Sequence, residues 1–375
     1  MNFRKLAGIL IMVLSVPFAA ARTEAQCIDG EDFSICPAKD TVYLLNETAV
    51  GALNLSDGKV KWRNNLPHET QESFLGPIVT ADSVLIFAGV PLTRAYAFDA
   101  ATGNPRWRIE ASSDEWISVG PYILFGDREH WEGLTALDSK TGKIIWHHGG
   151  KRPGDIAFLA LSGHLILTNL FAIDANSGQV LKRWPKDWDI SAISFAGPNL
   201  AIGTRYGGLG ASNLAIYSWP GFQMMWSRRE DTWSKSNPKV IRIAGIDGDA
   251  KNLLVASYDA EFFSRGHATL EGFVTSTGKL VWSKSIACDY MLLTSPIALT
   301  QGLSIFAMAD TENSGVVEAF DAATGIQKWI AHTDQRLTAG PICDGQYCYF
   351  GSLSHEVLSI DVQSGAQSWL ALPKE

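Results

Sequence analysis

Charge is scarce in this chain: Asp, Glu, Lys and Arg make up 19% of its 375 residues, against roughly 25% in ordinary soluble domains. The net charge is -8, and beyond the pair Arg228-Arg229 no Lys/Arg cluster with interleaved aromatics occurs. A nucleic-acid partner is excluded on both counts. The signatures of several chemistries are missing too. There is no Gly-x-Ser-x-Gly elbow, no His-Glu-x-x-His and no Gly-x-x-x-x-Gly-Lys, which removes the common hydrolase, zincin and P-loop readings. His147 and His148 are adjacent, so on a strand they point to opposite faces and are badly placed to chelate one metal. The Gly207–Gly210 cluster has no helix after it to hold a phosphate and reads as a hairpin tip.

Long apolar runs are confined to the N-terminus. Arg4 and Lys5 precede an uncharged stretch from Leu6 to Phe18 that ends in Ala19-Ala20-Ala21, the layout of an export signal cleaved after Ala21 or after Ala25. The stretch is too short for a spanning helix and no second one follows, so no membrane span is expected. Cys27 follows Glu24-Ala25-Gln26 rather than the small apolar residues of a lipid-attachment site. An exported protein, periplasmic or extracellular, is expected. Cysteines are few, at positions 27, 36, 288, 343 and 348. In an oxidising compartment Cys343 and Cys348, bracketing an Asp344-Gly345 turn, are placed to pair across a hairpin, and Cys27 with Cys36 is a second local candidate. Free thiols remain the alternative. Asn46-Glu-Thr48 and Asn54-Leu-Ser56 fit the short glycan-acceptor pattern, which matters only in a eukaryotic host.

What the chain has in abundance is a repeat. Gly is followed four residues later by Trp, usually after Asp-x-x-Thr, in Asp99–Trp107, Asp138–Trp146 and Asp321–Trp329, and in looser copies ending at Trp62, Trp282 and Trp369. Two copies are degenerate: Gly178 leads to Lys182, with Trp184 two places late, and Gly221 leads to Trp226 one place late. The glycines at 58, 103, 142, 178, 221, 278, 325 and 365 are spaced by about 44 residues on average. That period, with alternating apolar residues on both sides of each turn, predicts four-stranded blades. The expected fold is all-β, a single eight-bladed β-propeller over residues 27–375. Within each unit Asp caps the turn, Gly takes its positive-φ position, and the Trp falls on the outermost strand as a wedge toward the next blade. Trp62, Trp107, Trp146, Trp226, Trp282, Trp329 and Trp369 are the docking residues on this reading.

The motif Ala-x-Asp-x-x-Thr-Gly-x-x-x-Trp, carried by Ala97–Trp107, Ala136–Trp146 and Ala319–Trp329, resembles the quinoprotein-type repeat. The chain is identified as a member of the pyrroloquinoline-quinone-like propeller superfamily. Two branches of it differ in function. The quinoprotein dehydrogenases imply bound pyrroloquinoline quinone and calcium, but this chain lacks room for their insertions, adjacent cysteines and a Cys-x-x-Cys-His haem site. Its size and layout are closer to the BamB-type subunit of the bacterial β-barrel assembly machinery, which implies no cofactor, no catalytic residue and a protein partner in the cell envelope.

A propeller gathers one loop per blade at the mouth of its channel. Glu72, Glu115, Asp155, Asp189, Asp289 and Arg336 are expected there, five of six being acidic, a mouth suited to a cation or a basic peptide. Arg229 and Trp233, in the longest inter-glycine interval, are further partner-binding candidates. Trp184 and Trp188 form a second aromatic-rich loop that either projects or tucks back. The expectation is a non-enzymatic scaffold, monomeric on its own; the alternatives are a quinone-dependent dehydrogenase and a secreted carbohydrate- or ligand-binding propeller.

Overall fold

The computed structural model describes residues 28–371 except 30–33, 39, 46–48, 56, 67–73, 89–93, 111–115, 128–132, 149–157, 186–187, 207–210, 230–232, 235–236, 239–240, 260–265, 289–291, 310–312 and 353–355. Every regular element among them is a β-strand, and strands follow one another in antiparallel meanders. The first sheet holds Ile28–Asp29, Ser34–Ala38, Thr41–Leu45, Ala49–Asn54 and Val60–Asn65 in order. Four-stranded sheets follow over residues 74–110, 116–148 and 158–183, and two more over 292–333 and 337–371. Between these lies an eight-stranded sheet with two antiparallel halves, 189–229 and 241–288, joined by one parallel pairing of Ala196 with Gly248. The sequence leads one to expect a separate four-stranded unit at each glycine; the first sheet has an extra strand, and two units are fused.

Burial explains the strand composition. Middle strands such as Ser83–Ala88 and Leu303–Ala309 are buried along their whole length, because each sheet is covered on both faces by its neighbours, and their sequences are correspondingly unbroken apolar runs. Outermost strands such as Val60–Asn65 and Gln327–Thr333 alternate between exposed and covered residues. The core is divided among the junctions. Leu85 and Phe87 of the second sheet pack on Ile123 and Phe125 of the third, Leu254 on Phe306, and Ile305 on Phe350. A last cluster joins Val42, Leu44 and Leu53 to Tyr349 and Val357, so the first and last sheets meet and the circuit closes. Near this junction Cys343 and Cys348, partners in register, form a disulfide with Cα atoms 4.1 Å apart. Cys36 is disulfide-bonded as well, whereas Cys27 lies outside the described residues.

One device recurs at the junctions. The indole N–H of Trp62 donates to the carbonyl of Ala100 at 2.9 Å, that of Trp107 to Ser139 at 2.9 Å and that of Trp146 to Ala175 at 2.8 Å. Trp226, Trp282 and Trp329 do the same to Thr275, Ala322 and Val362 at 2.8–2.9 Å. Each acceptor directly follows the first residue of the next unit's turn. The glycine of that turn lies under the ring: a Cβ on Gly103 would stand 2.7 Å from carbons of Trp62, and one on Gly278 2.6 Å from Trp226. Glycine is needed there twice over, for its φ of +67 to +75° in these turns and for the ring above it.

The turn Asp is held as an anion. Asp99 accepts from the backbone N–H and hydroxyl of Thr102, both at 2.9 Å, and from Arg106 at 2.6 Å. The hydrogen bonds from Arg106 and Thr102 lower its pKa to about 2. Asp138, Asp321 and Asp361 are lowered chiefly by the hydroxyls of Thr141, Thr324 and Ser364. For Asp174 burial opposes ionisation, but the Ser177 hydrogen bonds and the neighbouring His164 leave it lowered too. A carboxylate whose pKa is depressed by folding stabilises the fold above its unfolded pKa, and that stabilisation is lost as pH falls through the folded value. The expected outcome is a melting temperature that declines between about pH 4, the unfolded range, and pH 2, with Asp99→Asn shallower in that window than the wild type. A profile with no decline there would contradict the assignment.

Candidate interaction surface

The sequence-expected mouth is only partly described. Glu72, Glu115, Asp155 and Asp289 lie outside the described residues. Asp189 opens the strand Asp189–Ala196, and Arg336 is half-buried just before Leu337–Cys343. Arg229 ends the strand Met224–Arg229. Trp233 belongs to a two-stranded ribbon, Trp233–Ser234 with Asn237–Pro238, where a plain loop is expected from the sequence. Among the described residues no three His, Cys, Asp or Glu side chains gather as a metal site, and no helix is long and apolar enough to cross a membrane.

A different surface is visible on the outermost strands. The second and third residues after the turn are Ile144-Ile145, Val180-Leu181, Met224-Met225 and Leu280-Val281 in four consecutive units. All of these except Val180 are exposed, Ile144 at 67% and Met224 at 60%. The same places in the other units hold Val60-Lys61, Pro105-Arg106, Gln327-Lys328 and Gln367-Ser368. Two adjacent apolar residues on an edge strand cannot both turn inward, so each pair leaves apolar surface facing solvent beside an edge whose backbone groups have no further strand. The apolar arc therefore occupies one side of the molecule.

The junction inside that arc is built differently from the rest. Lys182 stands where a docking Trp is expected, and the position facing it is not glycine. The turn's left-handed residue is Phe222, with φ of 54°, and its N–H donates to the Ser218 carbonyl at 2.8 Å just as Gly103 does to Asp99. Counted from Phe222, Trp226 has the ordinary offset, so its apparent lateness with respect to Gly221 disappears. The ring that the Trp would have supplied comes instead from Phe222 on the opposite side, with the Lys182 ammonium 5.1 Å from its centroid. Trp184 is buried, donates to the Thr168 carbonyl at 2.7 Å and lies 5.2 Å from the Phe222 centroid. Both tryptophans of this connection tuck back, Trp188 against Tyr217 at 5.6 Å.

Trp369 departs from the rule in another way. In the other Trp units the outer strand carries a bulge, and the Trp faces the next sheet. The pairing of Gln367–Ala371 has no bulge, so Trp369 sits opposite Leu358 and packs in the cluster shared with the preceding sheet. The seam to the first sheet is filled by Leu370, 3.3 Å from where a Cβ on Gly58 would be. As a wedge toward the next sheet, Trp369 is corrected to Leu370.

The family model described as outer membrane protein assembly factor BamB matches residues 24–148 and 225–372. The chain belongs to this family. A curated relative, the BamB of Burkholderia pseudomallei (strain K96243), is 23% identical over 177 residues, 42% of this chain and 45% of the relative; the match thus spans under half of that protein's length. Among solved structures, BamB from Moraxella catarrhalis superposes with a TM-score of 0.58 at 16% identity, covering 93% of this chain and 99% of that one. Saccharomyces cerevisiae Sqt1 gives 0.59 at 10% identity, with 90% and 94% covered. At such identities the two structures speak for the propeller fold alone. The segment between the two matched stretches, 149–224, contains Lys182 and Phe222, the members of the exchanged seam.

Proposed function

We propose that this BamB-family chain is an exported, eight-bladed, non-enzymatic scaffold that holds a protein partner in the cell envelope. The single parallel bridge inside the eight-stranded sheet and the Trp seam at each end of its second half support counting that sheet as two blades. The observation that carries the partner reading is the apolar arc. It offers an open strand edge with exposed Ile, Leu, Met and Val on four neighbouring units, suited to an extended segment that adds to the edge and lays apolar side chains along it. The acidic mouth residues Glu72, Glu115, Asp155, Asp189 and Asp289 are proposed to bias that partner toward basic segments, and Arg229 and Trp233 to flank it. The family match and the likeness to the assembly factors favour an envelope location.

The test is capture from an envelope fraction with tagged protein carrying Ile145→Glu, Leu181→Glu, Met225→Glu and Val281→Glu together. All four side chains are exposed, so the melting temperature is expected to stay within a few degrees of the wild type. Loss of the captured protein by tenfold or more is the expected result. Equal capture by variant and wild type would remove the arc from the function.

A further inference from the structure

Beside the exchanged seam lies a partly open cavity of about 210 Å³. Its walls come from the 189–229 half of the eight-stranded sheet and from the connection that precedes it: Trp188, Ile202, Thr204, Asn213, Tyr217 and Met224. Thr204 and Asn213 are register partners on adjacent strands, so a hydroxyl and a carboxamide stand side by side in the wall. Thr204 is 6% exposed. The Trp188 indole joins the polar side chains of the described wall.

We infer that this cavity is a binding site for a single uncharged sugar ring. None of the described residues in its wall carries a formal charge, which disfavours ionic ligands. Its volume is below the roughly 300–1,000 Å³ of sites for drug-sized molecules, which limits the occupant to about one ring. Trp188 and Tyr217, with centroids 5.6 Å apart and planes at 45°, form an aromatic corner on which the C–H face of a pyranose can rest. The Thr204 hydroxyl, the Asn213 amide and the Trp188 N–H supply donors and acceptors for its hydroxyls. An apolar peptide side chain would use the aromatic corner but offer the Thr204, Asn213 and Trp188 polar groups no hydrogen bond, whereas a sugar's hydroxyls satisfy them. Every described wall residue lies between 188 and 224, within the segment that the family match skips. The inference stands apart from the partner reading: the arc variants leave Trp188, Thr204 and Asn213 unchanged, so either proposal can fail alone.

The experiment is saturation-transfer NMR on the full exported chain with D-glucose and N-acetylglucosamine, and with N-acetylphenylalaninamide as the peptide-side-chain probe. The wild type is expected to transfer to at least one sugar, with a dissociation constant on the order of millimolar. Thr204→Val, which preserves shape, combined with Asn213→Leu is expected to weaken that binding at least tenfold, as is Trp188→Leu alone, with thermal melts showing that each variant is folded. Absence of transfer to both sugars, sugar binding that the variants leave unchanged, or binding of the phenylalanine probe without either sugar would overturn the assignment.

Discussion

Replacing Gly325 with alanine is expected to lower the free energy of unfolding by about 3 kcal/mol. Two terms add. Gly325 has φ of +69°, a conformation that costs an L-residue about 1–2 kcal/mol. The new Cβ would also stand 2.6 Å from Cδ2 and Cγ of Trp282, and overpacking of this kind costs roughly 1–3 kcal/mol. The ring has little freedom to yield: Trp282 is 9% exposed, and its N–H is tied to the Ala322 carbonyl at 2.9 Å, in the same turn that holds Gly325. Gly302 provides the control, because it has φ of +74° with nothing within 4 Å of a built Cβ. Gly302→Ala should show the backbone term alone, about 1–2 kcal/mol. Urea unfolding of the two variants separates the contributions, and equal losses would mean that the seam tolerates an added methyl group.

The second large effect is a non-additive one. Lys182→Trp alone should destabilise the protein by about 2 kcal/mol, because the incoming indole competes for the space that the Phe222 ring fills. Phe222→Gly alone relieves the positive φ but removes a ring in contact with Trp184, Tyr217 and Trp219 at centroid distances of 5.2, 5.4 and 5.9 Å, a net loss of about 3 kcal/mol. Made together, the two changes rebuild the Trp-over-Gly pair found at the neighbouring junctions. The double variant should therefore be more stable than the sum of the single effects by at least about 1 kcal/mol. Strict additivity would show that Lys182 and Phe222 do not share one site, and the account of this seam would be wrong.

These two seams also indicate what was legible beforehand. The Asp-x-x-Thr-Gly turn and its Trp can be read from the sequence because each position has one physical job, and that job recurs unit after unit: an anion accepts the turn's N–H groups, a residue without Cβ passes under a ring, and an indole donates across the gap. The exchange at Lys182 and Phe222 is hidden because its two halves are far apart in sequence and each looks like a simple defect. Gly221 draws attention as the nearest glycine, yet the left-handed position went to the residue whose ring was needed. Trp369 keeps the spacing of its counterparts but not the bulge, a backbone feature with no residue signature here, and a shift of one place turns a side chain to the other face. The apolar arc did have a signal. Adjacent apolar pairs just after four successive turns break the alternation that a half-covered strand requires, and they could have been counted. The cavity had none, since it follows from the exchanged seam.

The most direct test of the central claim, that indole donors lock successive sheets into a ring, is hydrogen exchange at the tryptophan side chains of ¹⁵N-tryptophan-labelled protein. The N–H groups of Trp62, Trp107, Trp146, Trp226, Trp282 and Trp329 should exchange slowly as one set, opening only with large-scale unfolding, while Trp188 and Trp369 exchange fast. If the six exchange as readily as Trp188, the seams are not held by these bonds and the ring must owe its closure to something else.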